Sequence, residues 1–109
     1  MEKRNNDILY RGTTPTHSFT LPDELNGMEL AALYITYRQD GKTVLEKDRS
    51  SISIEDGVAS VRLTQEETLL FSDRWKCHIQ VRLRTAAGDA LVSNVVDIPV
   101  YDVLKEGVI

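Results

Sequence analysis

The chain has 109 residues, with 13 Lys and Arg against 17 Asp and Glu, for a formal charge of −4. That length fits one domain of the common ~100–150-residue size, and the acidic balance argues against a general nucleic-acid binder, which needs a net basic footprint. Hydrophobic residues at 41% and charged residues at 28% describe a globular chain and not a disordered one.

Residues 1–7 are polar and aperiodic, and a disordered N-terminus is expected there, followed by a single domain over residues 8–109. From Ile8 onward, short apolar segments alternate with turn residues. Leu33, Ile35 and Tyr37 fall on one face of a strand, with Tyr34, Thr36 and Arg38 on the other. That strand stops at Gln39-Asp40-Gly41-Lys42, a hairpin signal because glycine tolerates positive φ, and Thr43 to Lys47 returns. Ile52 and Ile54 lead to a second turn at Glu55-Asp56-Gly57, then to a strand with Ala59, Val61 and Leu63 on one face.

Thr64-Gln65-Glu66-Glu67 is a capping box, in which the Thr64 hydroxyl accepts from the Glu67 amide and the Glu67 carboxylate reaches back. It predicts a short helix over about residues 65–71 whose Leu69, Leu70 and Phe71 plug one end of a β core. Too short to be stable alone, such a helix serves as a connection. The strongest period-2 pattern is Arg74 to Thr85: Trp75, Cys77, Ile79, Val81 and Leu83 on one face, with Arg74, Lys76, His78, Gln80, Arg82 and Arg84 on the other. Trp75 is expected to fill the central core position. Ala87-Gly88-Asp89 turns the chain into Ala90–Ser93, and Val95–Val103 closes the domain, with Pro99 marking an edge or a bulge. About eight short strands and one helical plug predict an all-β fold, an immunoglobulin-like antiparallel β-sandwich, with a small closed barrel as the alternative.

No apolar stretch approaches the ~20 residues of a membrane-spanning helix, and no ~7–15-residue apolar run follows the N-terminus as a signal peptide would require. One cysteine, Cys77, excludes an internal disulfide and fits a protein made in the cytoplasm. Chemistry is thin. His17 and His78 read as two exposed histidines, and with Cys77 they do not supply the three or four ligands of a zinc site. Cys77, between Trp75 and Ile79 on the apolar face, reads as a small core hydrophobe and not a nucleophile. The acidic pairs Asp23/Glu24 and Glu66/Glu67 are loop and helix-start residues, the latter explained by the helix dipole. The glycines are scattered singly, so no phosphate loop is present. No catalytic, cofactor-binding or metal residue is nominated, and no cofactor or enzymatic activity is expected.

The basic stripe Arg74, Lys76, His78, Arg82 and Arg84 is the one suggestive surface. It reads as a solvated sheet face with cross-strand acidic partners such as Glu46 or Asp48, as an interface for an acidic protein, or, less readily because interleaved aromatics are missing, as a nucleic-acid platform. Tyr10, Tyr34 and Tyr101 are the plausible exposed aromatic platforms.

Tyr10-Arg11-Gly12-Thr13-Thr14-Pro15-Thr16 with Phe19-Thr20-Leu21-Pro22, then Leu63-Thr64-Gln65-Glu66-Glu67-Thr68-Leu69, and the ending Val103-Leu104-Lys105-Glu106-Gly107-Val108-Ile109 together resemble small proteins encoded in prophages of Gram-positive gut bacteria. In arrangement the chain is also similar to the N-terminal immunoglobulin-like domain of the phage baseplate upper protein family. The resemblance spans residues 8–109. It implies a non-enzymatic virion component of a phage or prophage tail or baseplate, made in the bacterial cytoplasm. Its expected partners are other tail or baseplate proteins and further copies of itself, with no membrane and no nucleic acid. The receptor-organising regions of the baseplate protein have no counterpart here, which points to a small accessory or adaptor subunit. The alternative is a β-sandwich module that binds a small ligand or carbohydrate through loops at one end.

Overall fold

The computed structural model describes residues 2–3, 8–25 and 27–109. The expected disorder of residues 1–7 falls mostly outside these; within that segment, Glu2–Lys3 forms strand β1, antiparallel to Phe19 and Thr20. In chain order follow β2 (Leu9–Tyr10), β3 (Thr16–Thr20), β4 (Leu30–Gln39), β5 (Lys42–Asp48), β6 (Ser53–Glu55), β7 (Val58–Arg62), helix α1 (Gln65–Thr68), β8 (Cys77–Thr85), β9 (Ala90–Val92), β10 (Val96–Ile98) and β11 (Val100–Tyr101).

Two antiparallel sheets form, one ordered β1-β3-β7-β6 and the other β10-β8-β4-β5, with β9 also paired to β8. This is the strand order of an immunoglobulin-like sandwich, A-B-E-D against G-F-C-C′. Local chemistry sets the connections. Asp40 and Gly41 both take positive φ (50° and 72°), as do Asp56 and Gly57 (51° and 75°). Each Asp-Gly pair thus forms the two-residue turn whose twist matches that of its flanking strands. Pro99 supplies no N–H, and the chain changes sheets there: β10 runs antiparallel to β8, while β11 runs parallel to β2. The Pro99 carbonyl accepts from Leu9 N at 3.0 Å.

The core lies between the sheets. Leu33, Ile35 and Tyr37 of β4 and Cys77, Ile79, Val81 and Leu83 of β8 face Phe19, Ala59 and Val61. Its centre is aromatic: Tyr37 and Phe71 meet edge to face at 5.8 Å. His17 packs beside Tyr37 at 5.6 Å, with His17 Nδ1 and the Tyr37 hydroxyl 2.7 Å apart.

Three expectations are corrected here. Trp75 is not the central core residue: it is 42% exposed, and Arg74 lies over its ring at 5.2 Å. The regular alternation starts at Cys77 because residues 72–76 form a separate turn. Gln39 holds that turn through bonds from Nε2 to the carbonyls of Ser72 (2.7 Å) and Trp75 (2.9 Å) and from Ser72 N to Oε1 (2.9 Å). His17 is not exposed but fully buried. The helix spans only residues 65–68; Leu70 N then bonds to Glu67 O and Phe71 N to Thr68 O, tightening the chain into a turn. Phe71 alone of Leu69, Leu70 and Phe71 is fully buried, and Leu70 is exposed.

Candidate functional site: the outer face of the larger sheet

The Tyr10–Thr13 part of the first motif, the 63–69 motif and the 103–109 ending come together and form a structural clasp, while Phe19–Pro22 lies at the other end of β3 beside Gly57. Thr68, completely buried, accepts from Gly12 N (2.9 Å) and Thr13 N (3.1 Å) with its hydroxyl oxygen, which also lies 2.9 Å from Thr13 O. Arg11 extends the clasp in three directions: Nε to Phe71 O (2.7 Å), Nη2 to Leu69 O (3.1 Å) and Nη1 to Asp102 Oδ1 (2.7 Å). Gln65 holds the backbone N–H of Ile109 at 2.9 Å. Gly12, at φ +78°, lies where a side chain would be strained, against Leu69 and Val103.

The predicted capping box is complete: Glu67 N donates to Thr64 Oγ1 (3.1 Å) and Thr64 N to Glu67 Oε1 (2.8 Å). Lys47 of β5 donates to the other Glu67 oxygen, tying the helix to the sheet edge. Partial burial opposes ionisation of Glu67, but the bonds from Lys47 and Thr64 outweigh it and hold the carboxyl below its ordinary value. Asp102 is lowered too, by the Val103 N–H and then by Arg11.

Cys77 behaves as the core hydrophobe its spacing indicates. Burial, with a smaller contribution from the Asp97 charge, pushes its thiol up to about 12, so the thiolate a nucleophile requires does not form near neutrality. Burial likewise raises the Tyr37 phenol far above its ordinary value. Among the described residues, no group of three or more His, Cys, Asp or Glu side chains comes together to hold a metal ion.

What remains open is the outer face of the larger sheet. The strand register sets side chains there in rows. One row reads Asp48, Tyr34, Arg82, Val92 from β5 across β4 and β8 to β9; the next reads Glu46, Thr36, Gln80; a third reads Arg38, His78, Asp97. Thr36 Oγ1 donates to Glu46 at 3.2 Å, which confirms that these two share the face. Tyr34 is 42% exposed, Val92 58% and Val95 52%. Two shallow depressions mark the surface, about 300 Å³ around Ala32, Tyr34, Arg82 and Ala90 and about 390 Å³ around Thr36, Arg38, His78 and Val95.

The basic stripe is therefore shorter than its sequence. Arg74 and Lys76 lie in the preceding turn, leaving His78, Arg82 and Arg84 on β8. Glu46 and Asp48 are not its cross-strand partners, because β4 lies between β5 and β8. His78 pairs instead with Asp97 of β10 at 2.5 Å, and among the described residues Arg82 and Arg84 make no ion pair. Tyr34 beside Arg82 is an aromatic that reading along β8 alone could not place there; the alternation of β4 signals its outward direction. Tyr10 and Tyr101, also exposed, meet edge to face at 5.8 Å on the β2–β11 pair. Among the described residues no helix is long and apolar enough to cross a membrane.

No family model matches the chain, and no curated protein matches it. Solved structures do, at low identity. The immunoglobulin-like domain of mouse leukocyte-associated immunoglobulin-like receptor 1, crystallised as a strand-swapped dimer, is 13% identical with a TM-score of 0.47, over 85% of this chain and 84% of that one. Extracellular domains 3–5 of Drosophila OTK are 19% identical, TM-score 0.40, over 90% of this chain and 32% of that one. The V domain of amphioxus IgVJ-C2 is 12% identical, TM-score 0.33, over 86% and 98%. By its own strand order and register, the chain is an immunoglobulin-like β-sandwich with one short helix.

Proposed function

We propose that this protein is a non-enzymatic structural or adaptor component of a phage or prophage tail or baseplate, working through protein–protein contacts. The observation that carries the contact role is the outer face of the β10-β8-β4-β5 sheet, where exposed apolar side chains (Tyr34, Val92, Val95) adjoin Arg82 and Arg84, which make no ion pair among the described residues. An apolar centre with flanking charge and an arginine is the composition that favours a protein partner. The tail assignment rests on the resemblance of the motifs at residues 10–22, 63–69 and 103–109. Residues 10–13, 63–69 and 103–109 of these motifs build the clasp and Phe19 packs in the core, so the resemblance concerns the scaffold and leaves the contact face to vary with the partner.

The test is affinity capture of the tagged protein from lysate of its own host after prophage induction, read by mass spectrometry, beside a Tyr34→Ala/Arg82→Ala variant. Tail or baseplate polypeptides retained by the wild type and lost by the folded variant are the expected result. Recovery of none by a folded wild type overturns the reading. Glycan-array binding abolished by Tyr34→Ala would then establish a carbohydrate module instead.

A further inference from the structure

The outer face carries an asymmetry that selects its partner. We infer that this face packs against the same face of a second copy, about a twofold axis running along β4. The inference rests on reading this face as a contact surface, and it assigns the occupant.

Charge changes sign across β4. On the β5 side stand Glu46 and Asp48; on the β8 side stand Arg82 and Arg84; Tyr34 and Thr36 lie between them on the centre line. A twofold axis parallel to β4 exchanges left and right but keeps the height along the strand. Asp48, Tyr34 and Arg82 share one row, so each Asp48 comes to face the partner's Arg82, each Arg82 faces the partner's Asp48, and the two Tyr34 rings meet at the axis. The contact is self-complementary, as an isologous interface must be. Asp48 accepts from Ser50 N (3.0 Å) and Ser50 Oγ and so is held in place on this face. Arg38 shares the centre line with Tyr34 and Thr36 and in a strictly parallel packing meets its own copy; a crossing of about 30° between the two β4 strands, centred on Tyr34, moves the two Arg38 apart, and each guanidinium is bonded to its own Gly41 O at 2.6 Å. His78 is already hydrogen-bonded to Asp97 within its own chain.

Size fits a reversible dimer. Four strands abreast at ~4.8 Å and about eight residues of strand length at ~3.3 Å each cover roughly 500 Å² on each copy, about 1,000 Å² in all, the low end for a specific interface. The exposed apolar side chains Tyr34, Val92 and Val95 lie within or beside this area.

Sedimentation velocity of the purified full chain from ~10 μM to ~1 mM tests the inference, since the upper limit still detects a millimolar dissociation constant. The wild type is expected to shift from monomer to dimer. Arg82→Glu places a carboxylate against Asp48 of the other copy, and Asp48→Arg places two guanidinium groups together; each is expected to weaken association ~10-fold or more. An equimolar mixture of the two variants restores both opposite-charge contacts and is expected to recover the dimer. Far-UV circular dichroism confirms that each variant is folded, and Arg82→Glu alone decides should Asp48→Arg lose its Ser50 contacts and unfold. A wild type monomeric at ~1 mM, or a dimer indifferent to Arg82→Glu, overturns the inference. Either result leaves the capture experiment, and the tail assignment it tests, unaffected.

Discussion

The two faces of β8 differ by one residue of register and by everything physical that follows from it. Cys77, Ile79, Val81 and Leu83 are buried against the opposite sheet, while His78, Arg82 and Arg84, on the same nine-residue strand, remain exposed. The inner set is fixed by packing, and a change there must be absorbed by close-packed neighbours. Of the outer set, His78 meets Asp97 of β10, while Arg82 and Arg84 have no counter-ion among the described residues. Stability and contact are thus separable on one strand. Inner residues should report in unfolding experiments and outer residues in association experiments.

The largest effect that would break this division is at the centre of the core. Tyr37→Ala removes a fully buried ring that contacts Phe71 and His17 and is expected to cost roughly 3–5 kcal/mol in urea unfolding. An effect below ~1 kcal/mol, the size of a surface change, would show that the aromatic centre is not where the sheets are held together. Next is the clasp. Thr68→Val keeps the shape but strips the hydroxyl that accepts from Gly12 N and Thr13 N; leaving such donors unsatisfied is expected to cost about 2 kcal/mol, read as a lower urea midpoint at unchanged m-value.

A smaller effect depends on pH. The folded Glu67 carboxyl is held below its ordinary value, so its contribution is fully present above the unfolded glutamate value of ~4.3 and is lost as pH falls through the lower folded value. The thermal midpoint should fall on acidification below that point, and Glu67→Gln should shallow the fall. An acid branch identical in wild type and variant would show that the Lys47–Glu67–Thr64 arrangement adds nothing to stability. The smallest effect is at Trp75, exposed in its turn beside Arg74: Trp75→Ala should cost less than ~1 kcal/mol in urea unfolding, as surface changes do. A loss of several kcal/mol would return this side chain to the core.

The contrast between Trp75 and His17 also shows what could be read in advance. The alternation of β8, both Asp-Gly turns and the capping box are local, and each lies where its residues indicate. Trp75 continues the β8 alternation two residues upstream in sequence only. What takes it out of the strand is Gln39, from β4, bonding the turn at Ser72 and Trp75, a contact that local spacing does not reveal. His17 carried a usable signal: it stands two residues before Phe19 in β3 and so on the same, inward side. Its imidazole reads as a surface group until the Tyr37 hydroxyl is brought to it from β4. The contact face needed the same long-range knowledge, because Asp48, Tyr34 and Arg82 become neighbours only through the register of three strands.

The most direct test of that face is a dilution series of 15N-labelled protein followed by amide chemical shifts. Concentration-dependent shifts gathered at Tyr34, Thr36, Asp48, Arg82 and Val92, with the inner-face amides of the β3–β7 sheet unmoved, are the predicted result. Shifts gathered at the clasp or on the β1-β3-β7-β6 sheet, or none at any concentration, would contradict the assignment of the outer face as the surface through which copies of this protein associate.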